Sequence, residues 1–273
     1  YATNMTSLLP SLFVPHGAPT FALAPGAAGA ALKAQADALP RPRAIVIVSA
    51  HWQTETAAVG TADRLDTIHD FYGFPEALYT IRYPASGCRE GADVVATALA
   101  AAGLDVRHDR ERGLDHGAWV PLRLMYPDAD VPVIPLSLPR LATPADAFHL
   151  GLALAPLTQQ GFLVIGSGSL THNLRDFQSA FHTGGADVGY VRAFADWFAD
   201  RLAAGDVDAL LDYRRQAPDA ARAHPSEEHL LPLFVALGAG GPGAHASRFH
   251  SGIDDYVIAM DAYAFRPSQG ALQ

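Results

Sequence analysis

Apolar residues recur along the chain in two rhythms. Short runs at residues 12–14, 44–48, 131–138 and 162–165 are bounded by Pro, Gly and polar residues. The run 44–48 reads Ala-Ile-Val-Ile-Val, a β-branched stretch with no polar interruption, as expected of a strand buried on both faces. Between these runs the spacing becomes helical. Residues 91–102 put Val94, Val95, Ala98 and Leu99 on one stripe, 146–157 form a second such segment, and 190–204 place Phe194, Trp197, Phe198 and Leu202 together. Pro25-Gly26 ends a loop, after which residues 27–38 favour helix. A last helix is predicted from Pro225. Ser226 serves as N-cap, Glu227 and Glu228 sit at the positive end of the dipole, and His229 lies in the first turn. Leu230, Leu233, Phe234 and Leu237 form its buried stripe, and Gly238 stops it. Strands alternating with helices predict an α/β fold with a central, mostly parallel or mixed sheet flanked by helices.

The chain's 273 residues, 49% hydrophobic and 17% charged, suffice for one large core, so residues 5–273 are read as a single domain. The opening Tyr1-Ala2-Thr3-Asn4 precedes Met5 and reads as leftover sequence outside the fold. No apolar run approaches the roughly 18–20 residues of a membrane helix. A formal charge of -9 without a basic stripe argues against nucleic acid or an anionic membrane as partner. With Cys88 as the one cysteine, a disulfide framework and thiolate zinc sites are excluded, and a cytoplasmic location fits.

Histidine carries the candidate chemistry. Of the 12 histidines, several stand where an apolar run ends. His16 follows Phe13-Val14-Pro15, His51 follows Val48-Ser49-Ala50, and His172 follows 162–165 across Gly166-Ser167-Gly168-Ser169. Ligand sites of α/β sheets gather outside the carboxyl ends of the strands. Small or proline neighbours let the backbone turn there and leave an imidazole projecting into the crevice. With His229 at a helix start, these residues point to a metal site. Imidazole suits iron, zinc and copper alike. There is no HExxH or HxH, so the ligands come from distant segments.

Six ordered segments narrow this reading: Phe13-Val14-Pro15-His16-Gly17-Ala18-Pro19, Val48-Ser49-Ala50-His51-Trp52, Thr67-Ile68-His69-Asp70-Phe71-Tyr72-Gly73-Phe74-Pro75, Leu114-Asp115-His116-Gly117-Ala118-Trp119, Thr171-His172-Asn173-Leu174-Arg175 and Ser226-Glu227-Glu228-His229-Leu230-Leu231-Pro232-Leu233. Together, from about Leu12 to beyond Gly238, the chain resembles the DODA-type (4,5-DOPA) extradiol dioxygenases, a branch of the class III ring-opening enzymes. The resemblance implies a non-haem iron(II) enzyme that opens a catecholic ring with O2. It implies metal ligands at His16, His51 and His229. His172 is implied as acid and base and as a possible fourth ligand, and His116 as a second catalytic residue in the same pocket. His69 and Asp115 are candidate substrate contacts, Glu228 is a rival ligand, and zinc is able to replace iron during purification. Trp52 and Trp119 read as core, and His224 as the approach to a helix.

On this reading three neutral ligands leave adjacent positions for two catechol oxygens and O2. His172, with an ordinary pKa near 6.5, takes up a catechol proton and later returns one, while His116 hydrogen-bonds the reacting group. Partners are then a small catecholic substrate and O2, and the protein is a monomer or homodimer. Two other classes stay open: a zinc hydrolase, in which three histidines generate hydroxide, and a Memo-like non-enzymatic metal or redox protein.

Overall fold

The apolar runs become the inner strands of one eight-stranded sheet in the computed structural model, which describes residues 8–268. The expectation for residues 1–4 lies outside the described residues. In chain order the strands are β1 (Ser11–Pro15), β2 (Ala44–Thr54), β3 (Ala57–Gly60), β4 (Val106–Asp109), β5 (Val133–Pro139), β6 (Phe162–Gly168) and β7 (His245–His250). A small hairpin of β8 (Ile253–Asp254) and β9 (Ile258–Ala259) follows, then β10 (Ala262–Arg266). The order across the sheet is β4-β3-β5-β2-β6-β1-β10-β7. The central strands β5, β2, β6 and β1 are parallel, and β10 and β7 add antiparallel pairings on one side. The sheet is therefore mixed with a parallel centre, as the alternation of runs and helical stripes implies.

Both faces of that centre are covered, which explains the uninterrupted hydrophobicity of its strands. Ala44, Val46 and Val48 of β2 point into one core with Phe162 and Val164 of β6. Their neighbours Ile45, Ile47, Leu163 and Ile165 point into the other with Leu12 and Val14 of β1. The first face carries α3 (Arg89–Ala101), α5 (Pro144–Thr158), α7 (Gly189–Ala204) and α11 (Leu231–Ala239). The second carries α1 (Gly26–Asp37) and α4 (His116–Met125). The short helices α2 (Glu76–Thr80), α8 (Val207–Leu211), α9 (Tyr213–Gln216) and α10 (Ala220–Ala223), together with α6 (Leu174–Thr183), pack around these layers. Among the described residues, no helix is long and apolar enough to cross a membrane.

Two differences from the sequence expectation have physical causes. Strands β4 and β7 form the outer edges and read Val-Arg-His-Asp and His-Ala-Ser-Arg-Phe-His, polar sequences whose residues are half-buried or exposed. Edge strands need no continuous apolar face, so their pattern is silent. The last helix also starts later than Pro225. Residues 225–230 are bends and turns, Ser226 is not an N-cap, and α11 begins at Leu231. The carbonyl of His229 accepts from the Ser169 N–H at 2.9 Å, while Leu233 N–H turns back to Leu230. Pro232 has no N–H to offer Glu228. The backbone at His229 is thus tied to the exit of β6 rather than to a helix.

Helix α11 lies directly against α5 because glycines face each other's backbone. A Cβ on Gly151 would meet the Val235 carbonyl, and one on Gly238 would meet the Phe148 carbonyl. Replacing Gly151 with Val should cost about 1–3 kcal/mol through overpacking. In a chain of this size that is a fall of roughly 2–10 °C in melting temperature, measurable by circular dichroism. An unchanged midpoint would show that this contact yields.

Candidate metal centre and active-site cavity

The parallel triplet β2-β6-β1 ends at one edge, and each strand delivers part of the site. His16 directly follows β1 and stays tethered to the neighbouring strand, its N–H donating to Gly168 O at 3.1 Å. His51 stands in a bulge: β2 runs on from Val48 to Gln53 while its partner β5 advances only from Leu136 to Leu138. The surplus residues leave the ladder and aim the imidazole away from it. Beyond β6 the chain crosses Ser169–Thr171, and the His172 N–H donates to Ala223 O at 2.8 Å. His229 is fixed by the bond from Ser169 already described. His116 opens α4, whose N-cap is Asp115. The next residue must be glycine, since a Cβ on Gly117 would strike Ser49 Oγ and crowd His51.

These five histidines face one cavity of about 350 Å³. The Nε2 atoms of His16 and His51 are 3.1 Å apart, and those of His51 and His229 are 3.2 Å apart. Two nitrogens each ~2.1 Å from a common ion, at 90–109° to one another, lie about 3.0–3.4 Å apart. The spacing therefore fits a shared divalent ion. His116 lies close enough to His16 and His51 to be a further ligand, and His172 and Glu228 lie equally close to His229. His172 stacks flat on His229, with ring centroids 3.5 Å apart and planes at 6°.

What turns the Nε2 atoms inward is a set of oxygens that bond Nδ1 of His16, His116 and His229 and face that of His51. The Ser167 hydroxyl donates to the Gly117 carbonyl, so its lone pairs accept the Nδ1–H of His16 at 3.1 Å. Glu228 Oε1 accepts from His229 Nδ1 at 3.1 Å. Asp70 serves two rings: Oδ1 accepts from both His116 Nδ1 (2.9 Å) and His116 N (2.8 Å), and Oδ2 lies 3.6 Å from His51 Nδ1. A proton kept on Nδ1 leaves the Nε2 lone pair for a ligand, the usual second layer of a histidine metal site.

Electrostatics favour the same state. Burial, then the neighbouring imidazoles, pushes His16 and His229 well below the usual histidine value. Burial and His116 lower His51 to about 4, against the pull of the Asp115 and Asp70 carboxylates. Burial likewise lowers His172, opposed by Glu228. Burial would raise Asp70, yet its hydrogen bonds with His116 hold it down at about 2. His16, His51, His172 and His229 are thus favoured as neutral nitrogen donors, with the ionised Asp70 carboxylate behind them.

Other sequence candidates fall elsewhere. Asp115 does not line the cavity. Its Oδ1 accepts from Ser49 Oγ at 2.6 Å and from Ala118 N, and its Oδ2 from Arg112 at 2.6 Å, so it locks α4 to β2 beneath the histidines. His69 is also outside the lining, its Nε2 on the Ile81 carbonyl at 3.0 Å and its ring among Phe71, Tyr79 and Trp119. Trp52 and Trp119 are core, as expected. His224 is buried, with Nε2 on the Leu170 carbonyl at 2.8 Å. Sequence reasoning missed Ser167 as an anchor, and it named Asp70 only within the segment Thr67–Pro75, without a role at the histidines.

The chain matches the family described as the catalytic LigB subunit of aromatic ring-opening dioxygenase over residues 27–257. It is 41% identical to a 4,5-DOPA dioxygenase extradiol of Beta vulgaris over 226 residues, covering 82% of this chain and 83% of the relative. It is 37% identical to a protein of the same name from Escherichia coli strain K12, covering 85% of each. The crystal structure of an uncharacterized protein from Escherichia coli K12 superposes with a TM-score of 0.77 at 30% identity, covering 94% of this chain and 99% of that one.

Two outcomes follow from the anchors. Asp70→Ala should weaken divalent-metal binding by about 10–100-fold in a chelator competition, with Asp70→Asn in between; unchanged affinity would remove Asp70 from the site. In metal-free protein His16, His51, His172 and His229 are neutral when folded but protonate near pH 6.5 when unfolded, so the unfolded state binds more protons in acid. Stability should be full above about pH 7 and fall steadily towards pH 4, where His51 itself titrates. A thermal unfolding series across that range, flat for the metal-free protein, would contradict the neutral cluster.

Proposed function

The chain belongs to the LigB family of aromatic ring-opening dioxygenases, and on that premise we propose that it is a single-domain, iron(II)-dependent extradiol enzyme acting on a catechol. His16, His51 and His229 are its metal ligands. The observation that carries this assignment is the convergence of their Nε2 atoms at 3.1–3.2 Å, each ring with an oxygen facing its Nδ1. Family membership favours ring opening with O2 over zinc-dependent hydrolysis or a non-enzymatic role. Iron(II) held by these three rings would supply the redox chemistry between a catechol and O2.

The chain's own groups do the rest. The cavity receives the ring between Phe71 and Phe74 on one loop and Phe177 of α6, excluding water from the reacting face. Holding the ring and O2 at one place removes much of the entropic barrier. His172, kept neutral by burial, accepts a proton from the catechol hydroxyl and returns it when the ring opens. Its stacking on His229 sets its place beside the ligand set. His116, with Nδ1 held by Asp70, presents its other nitrogen to the reacting group. Both oxygen atoms enter the product, a semialdehyde whose extended conjugation is yellow.

Protein loaded with iron(II) without air and then given catechols in air should consume oxygen and turn yellow; no turnover with any catechol would reject the proposal. His172→Phe should keep its iron and lose at least ~100-fold in kcat. Loss of the iron in that variant would make His172 mainly a ligand.

A further inference from the structure

We propose that His224, a buried imidazole outside the cavity lining, is a positioning residue that holds His172 on the face of His229. This rests on the ring-opening reading, in which His172 moves the proton. Of the five cavity histidines, His172 has the ring that lacks an anchoring oxygen. Ser167, Asp70 and Glu228 face Nδ1 of the other four. The His172 backbone N–H donates to Ala223 O at 2.8 Å, but among the described residues its ring makes no hydrogen bond. Glu228 is engaged through Oε1 with His229 and Ser226. The backbone must therefore set the place of the His172 ring.

That backbone is laced to the segment carrying His229. The Ser169 N–H reaches His229 O at 2.9 Å, and the Asn173 side-chain amide reaches Arg222 O at 2.7 Å. Between them, the Leu170 carbonyl takes its bond from a side chain, His224 Nε2 at 2.8 Å. His224 is fully buried and packs on Phe194 of α7, with ring centroids 5.6 Å apart. It thus ties the stretch just ahead of His172 to a helix of the main core rather than to a loop alone.

The choice of an imidazole fits that task. Burial holds His224 neutral, down at about 4, despite the bond to Leu170. A carbonyl only accepts, so the one ring proton sits on Nε2. Nδ1 is then a buried lone pair with no partner among the described residues. A leucine would pack there without such an orphan, so what histidine adds is the Nε2–H. The stack it supports is tight, with centroids 3.5 Å apart and planes at 6°. Misplacing a reacting group by about 1 Å costs up to about 100-fold in rate.

His224→Leu removes the donor and keeps apolar bulk, whereas His224→Gln sets an amide N–H as many bonds from Cα as Nε2. Nuclear magnetic resonance of zinc-loaded, histidine-labelled protein reads the geometry without turnover, since zinc has no redox chemistry. In the parent protein the His172 ring protons, identified by their loss in His172→Phe, should be shifted upfield by the His229 ring beneath them. His224→Leu should abolish that upfield shift and His224→Gln should restore it. With iron and a catechol, His224→Leu should lower kcat at least about tenfold with KM little changed, and His224→Gln should recover it. If His224→Leu does not fold, His224→Met replaces it, a donor-free side chain that adapts to its surroundings. A folded donor-free variant that keeps the upfield shift, losing only melting temperature, overturns the inference. So does a glutamine variant as impaired as the leucine one. If the parent protein turns over no catechol but the shift follows the donor, the ring-opening reading fails and the placement of His172 by His224 stands.

Discussion

Several imidazoles brought within one small cavity repel one another as soon as more than one is charged. The site depends on satisfying that constraint. Burial alone removes the charge but leaves the rings free to turn and the Nδ1 protons without acceptors. Ser167, Glu228 and Asp70 settle both matters by facing Nδ1, which leaves Nε2 bare on the inner side. The architecture around them serves this placement: parallel strands ending together, a bulge in β2 that releases His51, and a glycine beside His116 where a side chain would collide with Ser49.

Much of this is legible in the sequence, for identifiable reasons. Strands buried on both faces announce themselves as unbroken apolar runs, and the histidines that follow them inherit a predictable address at the carboxyl edge. His16, His51, His172 and His229 meet in the cavity because each lies just past such a run or beside its exit. The edge strands stay silent because water covers one side of them. The partners of the rings are harder to foresee. Asp70 reaches His116 across 46 residues, and Ser167 reaches His16 across 151, contacts that only the folded arrangement creates. Asp115 misleads for a related reason. It adjoins a histidine of the cavity, yet as a helix cap its carboxylate turns back into the protein.

The same reasoning explains why His69 misleads while Asp70 matters. Adjacent residues in an extended loop face opposite ways, so one enters the aromatic packing behind the cavity and the other reaches the histidines. Similarly, the start of the last helix could be misplaced without harming the choice of His229. What positions that ring is a backbone bond to Ser169 and a carboxylate next door, not a helical register.

The three converging imidazoles also bear on how the protein is made. His16 and His51 are 35 residues apart, but His51 and His229 are separated by 178. A chain emerging from the ribosome thus displays two of the nitrogens long before the third. The three-imidazole cluster cannot assemble until the segment carrying His229 has been made and has packed against the exit of β6.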